Sequence, residues 1–422
     1  MFVPVQKRRC LLRETLRTSY NIDGIANWPR NIGMQSIRFS LIAASALAAA
    51  PAYAQETSER SVALGGRYVA DAVIVAQGEE SRTFVLHDVE LTAEADLQKL
   101  IGVNGLSAGG HLLANFGGKP NDAAGTLQGV NNIEVGSARA KLYEAWIQQA
   151  FAGGRASLRL GLTDLNADFY QNDSAGLLIA PPFGIGSELA ATGPNGPSIF
   201  PSTALTARLS VDVGAKGYVR AAVVDAKSGV LGDPTGIDFR FRDGVLLIGE
   251  AGTTLGGKLA LGVWRYSRRQ DDVRAVIATG DPAQRIAQGA YVLIDQQVAG
   301  GEEAGTHLFA RIGLSEGKTT PFRGGFQAGV LVTGLVPGRP DSQISFGLEH
   351  GLLSRGFSDN LLDEGYSAAD GETGIELTYQ DKLASFLSIQ PDIQYIRRAY
   401  SDGHGRNTWI TGLRLIAAFG DD

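Results

Sequence analysis

The chain has 422 residues and a single cysteine, Cys10. No intramolecular disulfide can form, so an exported form would need another source of stability. Beyond residue 54 no apolar run reaches the 18 or so residues of a membrane-spanning helix. Basic residues are too few for a phosphate-binding face: 38 Lys and Arg stand against 44 Asp and Glu. This excludes nucleic acid as a natural partner. The five histidines show no metal-ligand spacing, and no phosphate loop or dinucleotide fingerprint occurs. Gly105-Leu106-Ser107-Ala108-Gly109 matches the pattern of a nucleophile elbow, but the helical α/β rhythm that motif requires is missing. Adjacent carboxylates (Asp271-Asp272, Glu302-Glu303) fall in loop-like stretches, where solvation explains them better than acid–base chemistry. The expectation is a protein that is not an enzyme, with no catalytic residue, no metal and no cofactor.

What is present begins with an export signal. Met34 to Arg38 is a short positively charged start, 39–50 is an apolar run, and Pro51-Ala52-Tyr53-Ala54 supplies an A-x-A cleavage site. We expect residues 34–54 to be a cleaved signal peptide and 1–33 to be an extension upstream of the true start at Met34. Residues 55–422 then form one domain. Residues 1–54 hold seven of the basic and two of the acidic residues, which leaves 31 against 42 and a net charge of −11 for the remainder.

That remainder alternates. At the C-terminal end Trp409, Thr411, Leu413, Leu415, Ala417 and Phe419 share one side of a period-2 strand, and Thr408, Gly412 and Arg414 the other. A long apolar face bracketed by aromatics, backed by a small and charged face, fits a strand between lipid and water. On a soluble edge strand the same face would drive aggregation. Alternation recurs at 65–76, 82–93, 109–116, 139–151, 155–164, 205–213, 218–226, 244–252, 258–266, 288–298, 305–314, 326–333, 343–350, 372–379, 387–396 and 408–419. About sixteen segments of roughly ten residues predict an all-β, transmembrane, antiparallel up-and-down β-barrel. Short turns at 153–154 and 215–217 alternate with long loops at 166–202, 225–243 and 268–288. The stretch 172–201, which mixes apolar and turn residues, is the one expected to fold into the bore.

The succession Tyr143-Glu144-Ala145-Trp146-Ile147-Gln148-Gln149, Arg159-Leu160-Gly161, Asp164, Asn166, Asp168-Phe169-Tyr170, Asn172-Asp173, Phe183-Gly184 and Phe200-Pro201 resembles the carbohydrate-selective porins of the OprB type. The likeness returns at Gln390-Pro391-Asp392-Ile393-Gln394-Tyr395 and Gly412-Leu413-Arg414, and runs over most of 60–419. It implies a sixteen-stranded channel in the bacterial outer membrane through which small saccharides diffuse into the periplasm. One departure is the terminus: Phe419 is followed by Gly420-Asp421-Asp422, whereas such barrels usually end on an aromatic.

The expected pore-lining and substrate-binding residues are Arg139, Lys141, Glu144, Trp146, Arg155, Arg159, Arg208, Asp212 and Arg220. Guanidinium donors suit vicinal hydroxyls, and carboxylates accept from them. The same charges could instead be ion pairs that hold the barrel in shape. Trp146 shares parity with Glu144 and Gln148 and is expected in the lumen. Trp264 and Tyr266 fit a sugar platform or a membrane girdle, and Trp409 a girdle. Expected partners are small saccharides, outer-membrane lipid and the barrel-insertion machinery, with self-association into a homo-oligomer also compatible. Two other readings share the export signal and the alternation: a secreted soluble all-β enzyme acting on polysaccharide, and a plugged barrel serving only structure or surface binding.

Overall fold

The computed structural model describes residues 61–420, except 302, 303, 402 and 404. The expected upstream extension and signal peptide lie outside the described residues.

Strands dominate, and sixteen of them close a barrel. In chain order they are β1 (Val62–Gln77), β2 (Arg82–Asp96), β3 (Leu106–Gly117), β4 (Arg139–Phe151), β5 (Ala156–Thr163), β6 (Ala204–Val213), β7 (Gly217–Asp225), β8 (Val245–Thr253), β9 (Lys258–Val276), β10 (Pro282–Gly300), β11 (Gly305–Ser315), β12 (Phe322–Thr333) and β13 (Gln343–Leu353), then β15 (Gly371–Ala384), β16 (Leu387–Arg397) and β18 (Asn407–Phe419). Two-residue strands β14 (Ser367–Ala368) and β17 (Tyr400–Ser401) pair above the rim. Each barrel strand is antiparallel to its sequence neighbour, and β1 closes on β18 in the register Tyr68↔Ala417, Asp71↔Arg414. Connections at the end bearing the start of β1 and the end of β18 are short, such as 152–155, 214–216 and 385–386. Those at the other end include 118–138, 164–203, 226–244 and 354–370. This is the pattern of periplasmic turns and external loops.

The pleat sorts the faces. Leu158, Leu160, Leu209, Val223, Leu247, Val263, Ile312, Phe346, Leu413 and Leu415 are all exposed, and they share the outward parity of their strands. An apolar side chain turned out all round the wall is stable only against acyl chains. Trp409 lies on that face, 42% exposed, with its ring 4.8 Å from that of Tyr395 and tilted 51° to it. No described helix is long and apolar enough to cross a membrane; the crossing is made by strands.

The expected loop at 268–288 is corrected. β9 and β10 stay paired up to Val276↔Pro282, and only 277–281 connect them. Arg268, Arg269, Asp271 and Asp272 gave the stretch its loop-like composition because the hairpin rises past the apolar band. In water, backbone pairing continues without a greasy face.

The core is inside the barrel, between wall and loops. The stretch 164–203 does enter the bore and buries Leu165, Phe169, Tyr170, Leu178, Phe183 and Leu189. The loop 118–138, not singled out from sequence, enters as well. Inward rings rest on glycines of neighbouring strands: Trp264 on Gly289, Tyr291 on Gly262 and Phe309 on Gly329, where an added Cβ would overlap the ring. Trp264 and Tyr266 are inward and buried beneath 164–203, the latter with its hydroxyl 3.0 Å from Thr192 Oγ1, so they form neither a girdle nor a free platform.

Candidate functional site: an arginine-rich wall left open by the loops

Carboxylates and guanidiniums on the wall take up the backbone polar groups of the two infolded loops. Glu372 accepts from Leu127 N and Gln128 N, each at 2.9 Å. Asp71 accepts from Asn131 Nδ2 at 2.6 Å and from Arg414 Nε at 2.8 Å, while Arg414 donates to Asn132 Oδ1 at 2.7 Å. Glu376 accepts from Ile179 N and Ala180 N, and Asp295 from Ser174 N. Arg311, 1% exposed, donates to the carbonyls of Tyr170, Pro182 and Gly184 at 2.9, 2.6 and 3.0 Å. Irregular backbone inside a barrel needs such partners, because an unmatched buried N–H or C=O costs about 1–3 kcal/mol.

These anchors lie on β1, β10, β11, β15 and β18. On β2 to β7 the inner face behaves differently. Glu90, His111, Glu144, Trp146, Gln148, Ser157, Arg159, Ser210 and Arg220 keep solvent access, although Asp88, Asn115, Lys141 and Arg208 on the same strands are buried, whereas Gln327, Ser345, Glu349, Glu372, Glu376 and Gln390 on the far wall are all buried. Water therefore follows one side of the lumen.

A bulge shapes that side. Leu142 pairs with Leu112 and Glu144 with His111, so Tyr143 is the extra residue on β4. Lys141 and Tyr143 face inward above it, and Glu144, Trp146 and Gln148 face inward below it, although their parities differ. Tyr143 donates to Asp164 at the root of the infolded loop, and Glu144 Oε1 accepts from Asp164 N at 2.8 Å.

Below the bulge three guanidiniums gather on one residue, Asp168. Arg208 Nε lies 3.1 Å from Asp168 Oδ2, and Arg159 Nη1 lies 3.9 Å from the same oxygen. Arg220 Nη1 donates to the Asp168 carbonyl at 2.6 Å and lies 4.8 Å over the Tyr218 ring. Gln148 Oε1 accepts from both Arg159 Nε and Arg208 Nη2 at 3.0 Å, and Arg208 Nη1 donates to Ser157 Oγ. The Arg159 guanidinium sits 4.2 Å over the Trp146 ring. On the adjoining strands Arg67 Nη1 meets Glu90 Oε1 at 3.1 Å, and His111 stands between Glu90 (3.3 Å) and Glu144 (3.8 Å). A surface rich in fixed donors beside one rich in acceptors can exchange a polar solute's hydration for side-chain hydrogen bonds.

The fold thus brings together Glu144, Trp146, Arg159, Arg208 and Arg220. It sets Arg139 and Lys141 higher, where both reach Ser202 Oγ and Lys141 also donates to Gly236 O. Arg155 and Asp212 lie exposed at the short-turn end, away from the cluster. Asp168, Gln148, Glu90, Arg67 and His111 join the site without having been singled out. Asp168 stood among residues read as loop, and strand neighbours 20 residues apart are invisible without register. Ser107 runs along β3 rather than at a strand–turn–helix elbow. Among the described residues no cluster of His, Cys, Asp and Glu could hold a metal.

A family model described as "Carbohydrate-selective porin, OprB family" matches residues 84–419. The chain belongs to that family. It is an outer-membrane porin, a passive channel for carbohydrates. Among solved structures it is similar to Pseudomonas putida OprB at high pH, with 19% identity, a TM-score of 0.75 and coverage of 85% of this chain and 94% of that one. It is also similar to the outer membrane channel DcaP of Acinetobacter baumannii (12%, TM-score 0.56, 87% and 100%). A third likeness is to the trimer form of OmpT, an outer membrane protein of Vibrio cholerae (11%, TM-score 0.50, 85% and 99%). A search of curated protein sequences gives no match.

Proposed function

We propose that small saccharides cross this porin along the wall formed by β2 to β7, and that Arg159 and Arg220 are the donors they exchange water for, with the buried Arg208 holding Asp168 and Gln148 in place beside them. The observation that carries this reading is the charge imbalance there: three guanidiniums gather on one acidic residue, Arg208 and Arg159 at the Asp168 carboxylate and Arg220 at its backbone carbonyl, on the side of the bore where much of the inner wall keeps solvent access. Donor capacity is left over for ring hydroxyls, while Glu90 and Glu144 supply acceptors next to it. The process needs no cofactor or energy source, and binding must stay weak for exit to remain fast. Single-channel recording in planar bilayers, with glucose titrated from one side, tests it. Arg220→Ala should raise the glucose concentration that halves the conductance by about tenfold, the loss of one charge-assisted hydrogen bond. An unchanged titration would move the passage elsewhere in the lumen. Arg139 and Lys141 would act at the entrance instead, and Arg155 and Asp212 at the exit.

Self-association is part of the same proposal. β5 to β8 have only 8 to 10 residues, at or below the 9–11 of a tilted spanning strand. Their outer faces contribute to an apolar groove of 940 Å³ with Ala207, Ala221 and Gly249 in its lining. A low, concave stretch of wall is better covered by a second copy than by extended lipid. Cross-linking in native membranes, compared with Ala221→Trp, tests this.

A further inference from the structure

We infer that Trp146 is a positioning residue for Arg159, and not itself a surface on which sugar rings stack. This rests on the passage proposed above. The indole, projecting from β4, is held on two sides by the adjacent strands. On β3 it rests against Gly109, where an added Cβ would overlap its Cζ2, Cε2 and Nε1. From β5 the Arg159 guanidinium covers the ring at 4.2 Å. A sugar could stack on that ring only by lifting Arg159 away, which would break the cation–π contact and the 3.0 Å bond from Arg159 Nε to Gln148 Oε1.

The arrangement gives Trp146 a definite task. A free arginine has several rotatable bonds and hydrates easily, so a donor on a water-lined wall loses aim. Here the Arg159 guanidinium is fixed by the indole beneath it and by Gln148 at its Nε, while its nearest carboxylate oxygen, on Asp168, is 3.9 Å away. Its Nη groups are thereby left as oriented, under-used donors. Gly109 belongs to the device. It carries no functional group, but only a residue without a Cβ lets the indole settle against β3.

The test is a double-mutant cycle in planar bilayers, with glucose as probe and two readouts: the concentration that halves conductance, and the reversal potential in a KCl gradient. Each variant is first checked for heat-modifiable gel mobility. Arg159→Ala, Trp146→Leu and Gly109→Ala should each raise the half-blocking concentration, by about tenfold for the first and several-fold for the others. Trp146→Phe, which keeps a ring under the guanidinium, should stay within about twofold of the parent. In the Arg159→Ala background, Trp146→Leu should add nothing. The reversal potential should move with Arg159→Ala, which removes a charge, and stay near the parent with Trp146→Leu, which only loosens one. A further weakening by Trp146→Leu on top of Arg159→Ala would show direct stacking and overturn the inference. So would an unchanged titration in Gly109→Ala. If Arg159→Ala alone left glucose block unchanged, the passage reading would fall with it, whereas a response to Arg159→Ala without one to Trp146→Leu would sink only the positioning role.

Discussion

Arg311→Ala should open the bore without opening the barrel. The guanidinium, on β11, donates to three carbonyls of the loop 164–203 and to Gln327 Oε1 at 2.9 Å, and lies 4.8 Å over the Tyr170 ring. Hydrogen bonds from a charged donor are each worth about 1.5 kcal/mol or more. Three of them place about 4–5 kcal/mol in the docking of the loop, roughly a thousandfold in its equilibrium. Loss of the cation also leaves Glu188, fully buried and bound by the Tyr170 hydroxyl, without its counter-charge. The ladder from β1 to β18 is untouched, so the variant should still fold and remain heat-modifiable on gels. The loop should instead become cleavable by protease near Leu177 and Leu178, and single-channel conductance should rise. Arg311→Lys, which keeps the charge but loses the planar fork, should lie between the two. Parent-like conductance with an equally protected loop would refute the reasoning. The apolar contacts of Leu178 and Phe183 with Phe309 would then be what holds the loop down.

Four further outcomes follow from the same geometry. Asp71→Ala leaves Arg414 buried and uncompensated and should cost about 3–5 kcal/mol, read as a lower midpoint of urea or heat unfolding. Asp168→Asn removes the carboxylate that faces Arg208 and Arg159 and should shift the reversal potential in a KCl gradient toward anion preference, which is checked in the same bilayers. Burial pushes the Glu134 carboxyl in the loop 118–138 up to about 8, although its bond from Asn121 N works the other way. Docking of that loop should then be firmest below the ordinary carboxylate range near 4.5, weaken as pH rises through 8, and lose this dependence in Glu134→Gln, as hydrogen exchange between pH 4 and 9 would show. Val263, 55% exposed on the outer face, should tolerate Leu but lose about 2–4 kcal/mol as Arg if it lies near the bilayer mid-plane, measured by refolding into lipid vesicles.

How much of this was legible in the chain depends on what each residue answers to. Leu158, Leu160, Leu209 and Leu413 answer to lipid, a uniform solvent that asks the same of every strand, so a period of two is enough to assign their face and to count about sixteen crossings. Arg269, Asp271 and Asp272 sit where the hairpin of β9 and β10 has left the lipid, and the signal stops although the strand does not. The lumen answers to partners that are local in space and remote in sequence. Glu372 is explained only by Leu127 and Gln128, and Asp71 only by Asn131 and Arg414; no window on the chain contains either set. The bulge at Tyr143 adds a second obstacle. Lys141 and Glu144 have opposite parity, and one extra residue turns both inward. Arg159, Arg208 and Arg220, each a charge on an otherwise small face, come together around Asp168. At Arg155 and Asp212 the same pattern continues to the exposed short-turn end, away from that cluster. A porin wall is therefore readable on the side that faces a featureless solvent, and its function is written on the side where each charge has a particular neighbour.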